Sequence, residues 1–369
     1  MIRVLHIIKS LGRGGAEMLL QETLPYHDHN KFEFHYIYFL PWKNQMVEGI
    51  IKNGGVVNNF PANNNITIML QVKKILRYIK EHDIQLVHCH LPWAGFVGRM
   101  IHRSSKVPVL YTEHNKQERY RFITRFLNKF TYNWQTSVIA VSEDVARSIE
   151  KNIHPKIPVN TLLNGVAVEK FNRSREDGKR IREEYGIAED AVVIGTVAVF
   201  RFQKRLKEWI DVFKAMEMKF PGIRGIIVGD GMLKDEVMKY LNESGMQGKI
   251  VTPGLQTEVR PWFSAMDIFM MSSVFEGLPI AMLEAMSMEC AIVSTDAGGI
   301  KEVIRNEIDG FTVPVNEWKK LKEPLTYLVG HPEKIKEYGV NARRRIVDAF
   351  SIKAMVRATE NIYEQTLIK

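Results

Sequence analysis

The sequence predicts an α/β protein made of two successive doubly wound domains, each a parallel sheet with helices on both faces. Three observations predict it. Short apolar runs of strand length alternate with helix-like segments of about ten residues or more, the pattern of parallel strands joined by crossover helices. A turn signal at Leu163-Asn164-Gly165-Val166, followed by a charged stretch from Arg173 to Glu184, interrupts the alternation, which then starts again. The length, 369 residues, also exceeds what one hydrophobic core commonly serves.

Each element follows from its local pattern. Val4–Ile8 is a short β-branched run, too short for a signal peptide, and reads as the first strand. Gly12-Arg13-Gly14-Gly15 comes next, with a helical stretch from Ala16. Phe34–Phe39 alternates as a second strand, and a helix over Val72–Lys80 leads to a strand at Ile84–His88. Val107–Tyr111 and Val138–Val141 complete the first series. After the turn, strands are expected at Val192–Val199, Gly225–Val228, Ile250–Val251, Ile268–Met271, Ala291–Ser294 and Gly310–Val313. No solenoid period or low-complexity tract appears.

Composition narrows the function classes. The formal net charge of +9 suits phosphate-rich ligands, anionic lipid or nucleic acid, or simply a solvated lysine-rich face. No nucleic-acid recognition motif accompanies the charge, so no nucleic-acid partner is expected. Cys89 and Cys290 cannot build a disulfide framework and point to a reducing compartment. No apolar stretch approaches the roughly 18 residues needed to cross a bilayer, which predicts a soluble or peripheral, cytoplasmic protein.

The segment richest in chemistry is Phe275-Glu276-Gly277-Leu278-Pro279-Ile280-Ala281-Met282-Leu283-Glu284, which follows the Ile268–Met271 strand. Gly277 permits close backbone approach, and Pro279 suits a first helical turn. The helix that follows offers backbone N–H groups and a positive dipole end to a diphosphate. Glu276 lies before the helix and Glu284 more than one turn inside it, so one carboxylate can face a reacting sugar while the other accepts hydrogen bonds from a ribose. A bound diphosphate would also attract cations. The candidate cluster is Arg201-Phe202-Gln203-Lys204-Arg205, on the turn after the Val192–Val199 strand.

Glu276 and Glu284 match the Glu-x7-Glu motif of the family-4 retaining glycosyltransferases, and other segments resemble that family in the expected order. Gly14-Gly15-Ala16-Glu17 is similar to its N-terminal glycine loop, Thr112-Glu113-His114 to its Thr-x-His, and Asn164-Gly165-Val166 with Phe171 to its interdomain segment. Val228-Gly229-Asp230-Gly231 resembles its Gly-x-Gly turn, and Gly298-Gly299 with Glu302 the loop after its next strand. One departure stands out: Ala198-Val199 occupies the place of the family's Gly-Arg. The resemblance implies a GT-B fold, two Rossmann-like domains facing across a cleft. Residues 1–168, joined by a C-terminal helix over 352–369, would serve the acceptor, and residues 169–351 the donor.

The resemblance also implies roles. Glu276 would sit beside the donor sugar, His114 would hydrogen-bond it near the reacting carbon, and Glu284 would bind the ribose. Lys204, with Arg201 or Arg205 as second cation, would meet the diphosphate together with the amides of Gly277 and Leu278. Gly14 and Gly15 would approach the phosphates from the first domain. The expected activity is retaining transfer from a nucleotide-diphosphate sugar, UDP in preference to GDP, to a saccharide or lipid-linked acceptor in bacterial cell-surface polysaccharide or glycolipid assembly. No cofactor is expected beyond that substrate.

No metal is expected either, since the sequence has no Asp-x-Asp and no His-Glu-x-x-His. His88-Cys89-His90 puts two imidazoles on one strand face, but the sequence shows no third ligand beside them. From Lys116 to Trp134, Phe122, Phe126, Phe130 and Trp134 recur every fourth residue between Arg119, Arg121, Arg125 and Lys129. That pattern fits either an anionic membrane interface at the inner face of the membrane or an ordinary helix whose aromatics pack on the core. Two other functions would suit the fold: a nucleotide-sugar epimerase and a catalytically silent binding module. A dinucleotide oxidoreductase fits poorly, because Glu17 takes the third glycine position after Gly12-x-Gly14 and Phe39-Leu40-Pro41 ends the second strand without an acid.

Overall fold

A computed structural model describes residues 1–368, which form two compact units: 1–164 with 352–368, and 165–351. The first unit is a seven-stranded parallel sheet. Its strands are β1 (Ile2–Ile8), β2 (Phe32–Tyr38), β3 (Val56–Asn59), β4 (Leu86–His90), β5 (Val109–Glu113), β6 (Ser137–Ala140) and β7 (Val159–Thr161), in the spatial order β3-β2-β1-β4-β5-β6-β7. β3 and β7 are absent from the sequence reading. Both are short edge strands paired on one side only, and their exposed flanks leave no apolar run to detect.

Alternation along the strands gives this sheet two cores. Leu5 and Ile7 of β1 join Val87, Cys89, Val109 and Tyr111 on one face, under the Val72–Glu81, Pro92–Ser105 and Glu143–Ile153 helices. Val4 and Ile8 join Phe34, Leu86 and Leu110 on the other, where Ile362 and Tyr363 of the C-terminal helix Ile352–Ile368 cover them.

The second unit is a six-stranded parallel sheet. Its strands are β8 (Val193–Val197), β9 (Arg224–Val228), β10 (Ile250–Gly254), β11 (Ile268–Met271), β12 (Ala291–Thr295) and β13 (Phe311–Val313), in the order β10-β9-β8-β11-β12-β13. Trp209 anchors its core, its indole N–H donating to the Met270 carbonyl at 3.0 Å. In both sheets the order reverses once, between β1 and β4 and between β8 and β11. Connections leave on opposite sides at such a point, which opens a crevice beyond the strands' carboxyl ends where open α/β sheets bind ligands.

Candidate functional site

In the second unit the predicted residues gather at that reversal. Lys204 lies on a 3-10 turn (Phe202–Lys204) after β8, and Glu276 on the loop after β11. Lys204 Nζ donates to Glu276 Oε1 at 2.6 Å, and the Ser273 hydroxyl donates to the same oxygen at 2.6 Å. Further bonds tie the two loops: Val274 N–H donates to Gln203 O at 2.8 Å, and the Ser272 hydroxyl is shared between the carbonyls of Lys204 and Arg205 at 3.0 and 2.9 Å. The Lys204 and Glu276 side chains are 17% and 11% exposed, so the pair is reachable but held. Ser272 and Ser273 do not figure in the sequence reading. Their signal was two hydroxyls directly after an apolar strand, three and four residues before a carboxylate.

The other predicted groups fall around this pair. The helix Ile280–Ser287 starts after Pro279, which is its cap residue with extended ψ and not part of its first turn. Gly277 and Leu278 occupy the approach to it, and Glu284 sits on its second turn with 6% exposure. The end of β12 and the loop after it brace the site from the other side: the Thr295 hydroxyl donates to Ser273 O at 2.7 Å, and Gly299 N–H to Gly277 O at 2.8 Å. Gly298 adopts φ +62°, and a Cβ there would lie 2.0 Å from Glu276 O. Gly229, after β9, is similarly constrained, its Cβ position being 1.9 Å from Ala198 O.

The two candidate arginines part company. Arg205 adopts φ +47° as the helix Leu206–Lys219 begins, and its guanidinium turns to Val315 O at 2.8 Å and toward Glu208 at 3.8 Å. Arg201 stands exposed just before the Lys204 turn.

In the first unit, Gly14 caps the helix Gly15–Thr23 that follows β1, at that sheet's own reversal, and Glu17 accepts the Ser10 hydroxyl at 3.1 Å. His114 directly follows β5. Its Nε2 is buried with no hydrogen-bond partner among the described residues, and burial lowers its pKa to about 4, which keeps the ring neutral.

His88 and His90 do have a third imidazole beside them, contrary to the sequence reading. His6, brought alongside by the β1–β4 register, places its ring within the same buried cluster. His6 Nδ1 meets His90 Nε2 at 2.9 Å, while His88 bonds the Tyr363 hydroxyl at 2.9 Å and Thr112 Oγ1 at 2.7 Å. The cluster forms a hydrogen-bonded network under the C-terminal helix, and burial keeps His6 neutral with a pKa near 3.

The reading of Lys116–Trp134 as one helix also needs correction. Residues 117–119 form a 3-10 turn, the helix spans only Phe122–Thr131, and Trp134 lies beyond it under the Arg103 guanidinium at 4.8 Å. Its aromatic face points outward, so the reading in which these rings pack on the core is overturned.

Two doubly wound parallel sheets with these loops at their carboxyl ends define the GT-B class. Comparison with known proteins agrees. The "Glycosyltransferase Family 4" model matches residues 13–170 and the "Glycosyl transferases group 1" model residues 177–345. A UDP-Gal:alpha-D-GlcNAc-diphosphoundecaprenol alpha-1,3-galactosyltransferase of Escherichia coli is 24% identical over 313 residues, covering 81% of each chain. The capsular polysaccharide biosynthesis glycosyltransferase CapM of Staphylococcus aureus is 23% identical over 358 residues, 90% of this chain and 93% of that one. The crystal structure of HepE from Anabaena, in complex with UDP and glucose, superposes with a TM-score of 0.88 at 18% identity, covering 99% of this chain and 100% of that one. The chain belongs to the family-4 glycosyltransferases and is an enzyme of that kind. These relatives are transferases, which favours neither the epimerase nor the silent module.

Proposed function

We propose that the protein moves a sugar from a nucleotide-diphosphate sugar to an acceptor hydroxyl with retention of configuration, in bacterial cell-surface polysaccharide or glycolipid assembly. The observation that carries this is the Lys204–Glu276 pair bridging the loops on either side of the β8/β11 reversal. A lysine ammonium has three donors, so Lys204 can hold Glu276 and still meet a phosphate oxygen. Arg201, exposed and with no side-chain partner among the described residues, is the better second cation, since Arg205 is turned to Val315 and Glu208. With the N-terminal end of the Ile280–Ser287 helix, these groups would balance the charge growing on the departing diphosphate without requiring a metal.

Glu276 would position the donor sugar, and buried Glu284 would accept ribose hydroxyls. Gly14 and Gly15 of the first unit would approach the phosphates, and His114, neutral and with one nitrogen unsatisfied, would accept or donate at the sugar. The leaving phosphate would assist deprotonation of the acceptor on the same face of the sugar. UDP is the proposed nucleotide: the E. coli relative is named for a UDP-sugar, and HepE was crystallised with UDP. A saccharide or lipid-linked acceptor in the cytoplasm fits the two buried free thiols, Cys89 and Cys290.

A thermal-shift panel of UDP-, GDP- and ADP-sugars tests the reading. A donor present at 100 times its Kd should add about 2.7 kcal/mol of stability. Stabilisation by GDP-sugars alone would overturn the choice of base, and stabilisation by none would overturn the donor site. Mass-spectrometric capture of a glycosyl group on an aspartate or glutamate would overturn same-face attack.

A further inference from the structure

The helix Phe122–Thr131 in the first unit is amphipathic with its polar side inward. Asn128 is fully buried, donating to Gln117 Oε1 at 2.8 Å and accepting from Arg99 Nη1 at 2.9 Å. Arg99, itself fully buried on the Pro92–Ser105 helix, also reaches Thr131 Oγ1 at 3.0 Å and Gln135 Oε1 at 3.0 Å, and stacks near the rings of Tyr111 and Tyr132. Outward, Phe122 is 81% exposed, Ile123 66%, Phe126 52% and Phe130 62%. The three phenyl rings form one strip, with centroids 6.3 and 4.6 Å apart in succession. Turning the helix to bury them would strand the Arg99 guanidinium without its partners, so the outward face is fixed by what lies beneath it.

Along residues 119–134 the charge has one sign. Residues 119–134 include Arg119, Arg121, Arg125 and Lys129 and no carboxylate, and Arg121, Arg125 and Lys129 are exposed. We propose that this face docks on an anionic lipid bilayer. The helix would lie in the plane of the interface, its phenyl rings entering the acyl boundary and its cations among the headgroups. Charge decides the occupant. A second copy of the same face would set the cations of this segment against each other with no carboxylate within it to offset them, whereas an anionic bilayer matches both the charge and the featureless apolar strip. No helix among the described residues is long and apolar enough to cross a membrane, so the contact is one of lying on the surface. The docking stands without the donor site. Its consequence, that the acceptor is held at the membrane and is lipid-linked, rests on the transfer reading.

Flotation of the full chain with phosphatidylcholine vesicles, with and without phosphatidylglycerol, tests the docking. The protein should float only with the anionic vesicles and should release as salt is raised. Arg121→Gln with Arg125→Gln and Lys129→Gln should weaken partitioning about 100-fold, from about fivefold per cation. Phe126→Ser with Phe130→Ser should abolish flotation while leaving the nucleotide-sugar thermal shift unchanged and the melting temperature lowered by only a few degrees, because both rings are more than half exposed. No flotation, equal flotation on neutral vesicles, or a dimer that the Phe126→Ser, Phe130→Ser variant dissolves would each overturn the proposal. A protein that floats but binds no nucleotide sugar keeps this inference and loses the transfer reading, and the reverse result does the opposite.

Discussion

Gly298→Ala tests the site without removing any functional group. Gly298 has φ +62°, where an L-residue costs roughly 1–2 kcal/mol, and its added Cβ would sit 2.0 Å from the Glu276 carbonyl oxygen and 2.9 Å from the carbonyl carbon. Carbon–oxygen contact at that distance is strongly repulsive, so the two loops must part by on the order of 1 Å. Overpacking of this kind costs about 1–3 kcal/mol, giving a total of about 2–5 kcal/mol, within what a domain stable by roughly 5–15 kcal/mol can absorb. The displaced backbone is that of Glu276, whose side chain holds Lys204. A shift of ~1 Å at such a group can cost on the order of 100-fold in turnover. Gly245→Ala is the control: φ is +73° but nothing lies within 4 Å of the Cβ position, so it carries the backbone strain alone. Turnover with a nucleotide sugar and denaturant melts of both variants measure the difference. If Gly298→Ala matches Gly245→Ala in both, the Glu276 loop does not need its observed position and the catalytic assignment fails.

The remaining predictions concern the same two units. Lys204→Ala and Glu276→Ala should each lower turnover by about 100-fold or more with an unchanged circular-dichroism spectrum, as lost transition-state contacts do; full activity in both would remove the assignment. Stability should fall steeply on acidification. His6 and His114 have folded pKa values near 3 and 4 against 6.5 unfolded, and His88 and His90 are also shifted well down by burial, so the unfolded chain takes up their protons first as pH drops below 6.5. Glu113 opposes this by one proton, because burial raises it to about 7 and the folded state holds its proton down through pH 4.5. His6 and His114 set against Glu113 leave one net proton, a slope of about 1.4 kcal/mol per pH unit between 4.5 and 6.5, and His88 and His90 act in the same direction; a melting temperature that stays flat from pH 6.5 to 5 would refute it. Arg99→Met should destabilise the first unit by about 1–3 kcal/mol for each orphaned acceptor, read by urea melts, because the buried side-chain oxygens of Asn128 and Gln135 lose their donor.

What the sequence made legible was order along the chain, and what it hid was pairing across it. The alternation of apolar runs and helices gave the α/β class because a buried parallel strand must be apolar on both faces, and that requirement shows in a single segment. It failed at Val56–Asn59 and Val159–Thr161, where an edge strand needs no such run. Glu276, Lys204 and His114 were visible as residue types at telling positions. The bond between Glu276 and Lys204, 72 residues apart, was not, and neither was the service of Ser273 to the same oxygen. His6 escaped notice as a neighbour of His88 and His90 because 84 residues separate it from His90, and only the β1–β4 register brings them together.

The Phe122–Thr131 helix shows the same limit most sharply. Its periodicity announces an apolar stripe, yet periodicity carries no sign, and the same stripe would describe a helix packed ring-side inward. The sign is supplied by Arg99, a residue on a different helix, whose buried guanidinium requires Asn128 and Thr131 to face it and so sends Phe126 and Phe130 to the outside. Burying a charge under a helix costs stability that an apolar contact would have supplied, and that cost is consistent with a chain in which the outward face does work of its own.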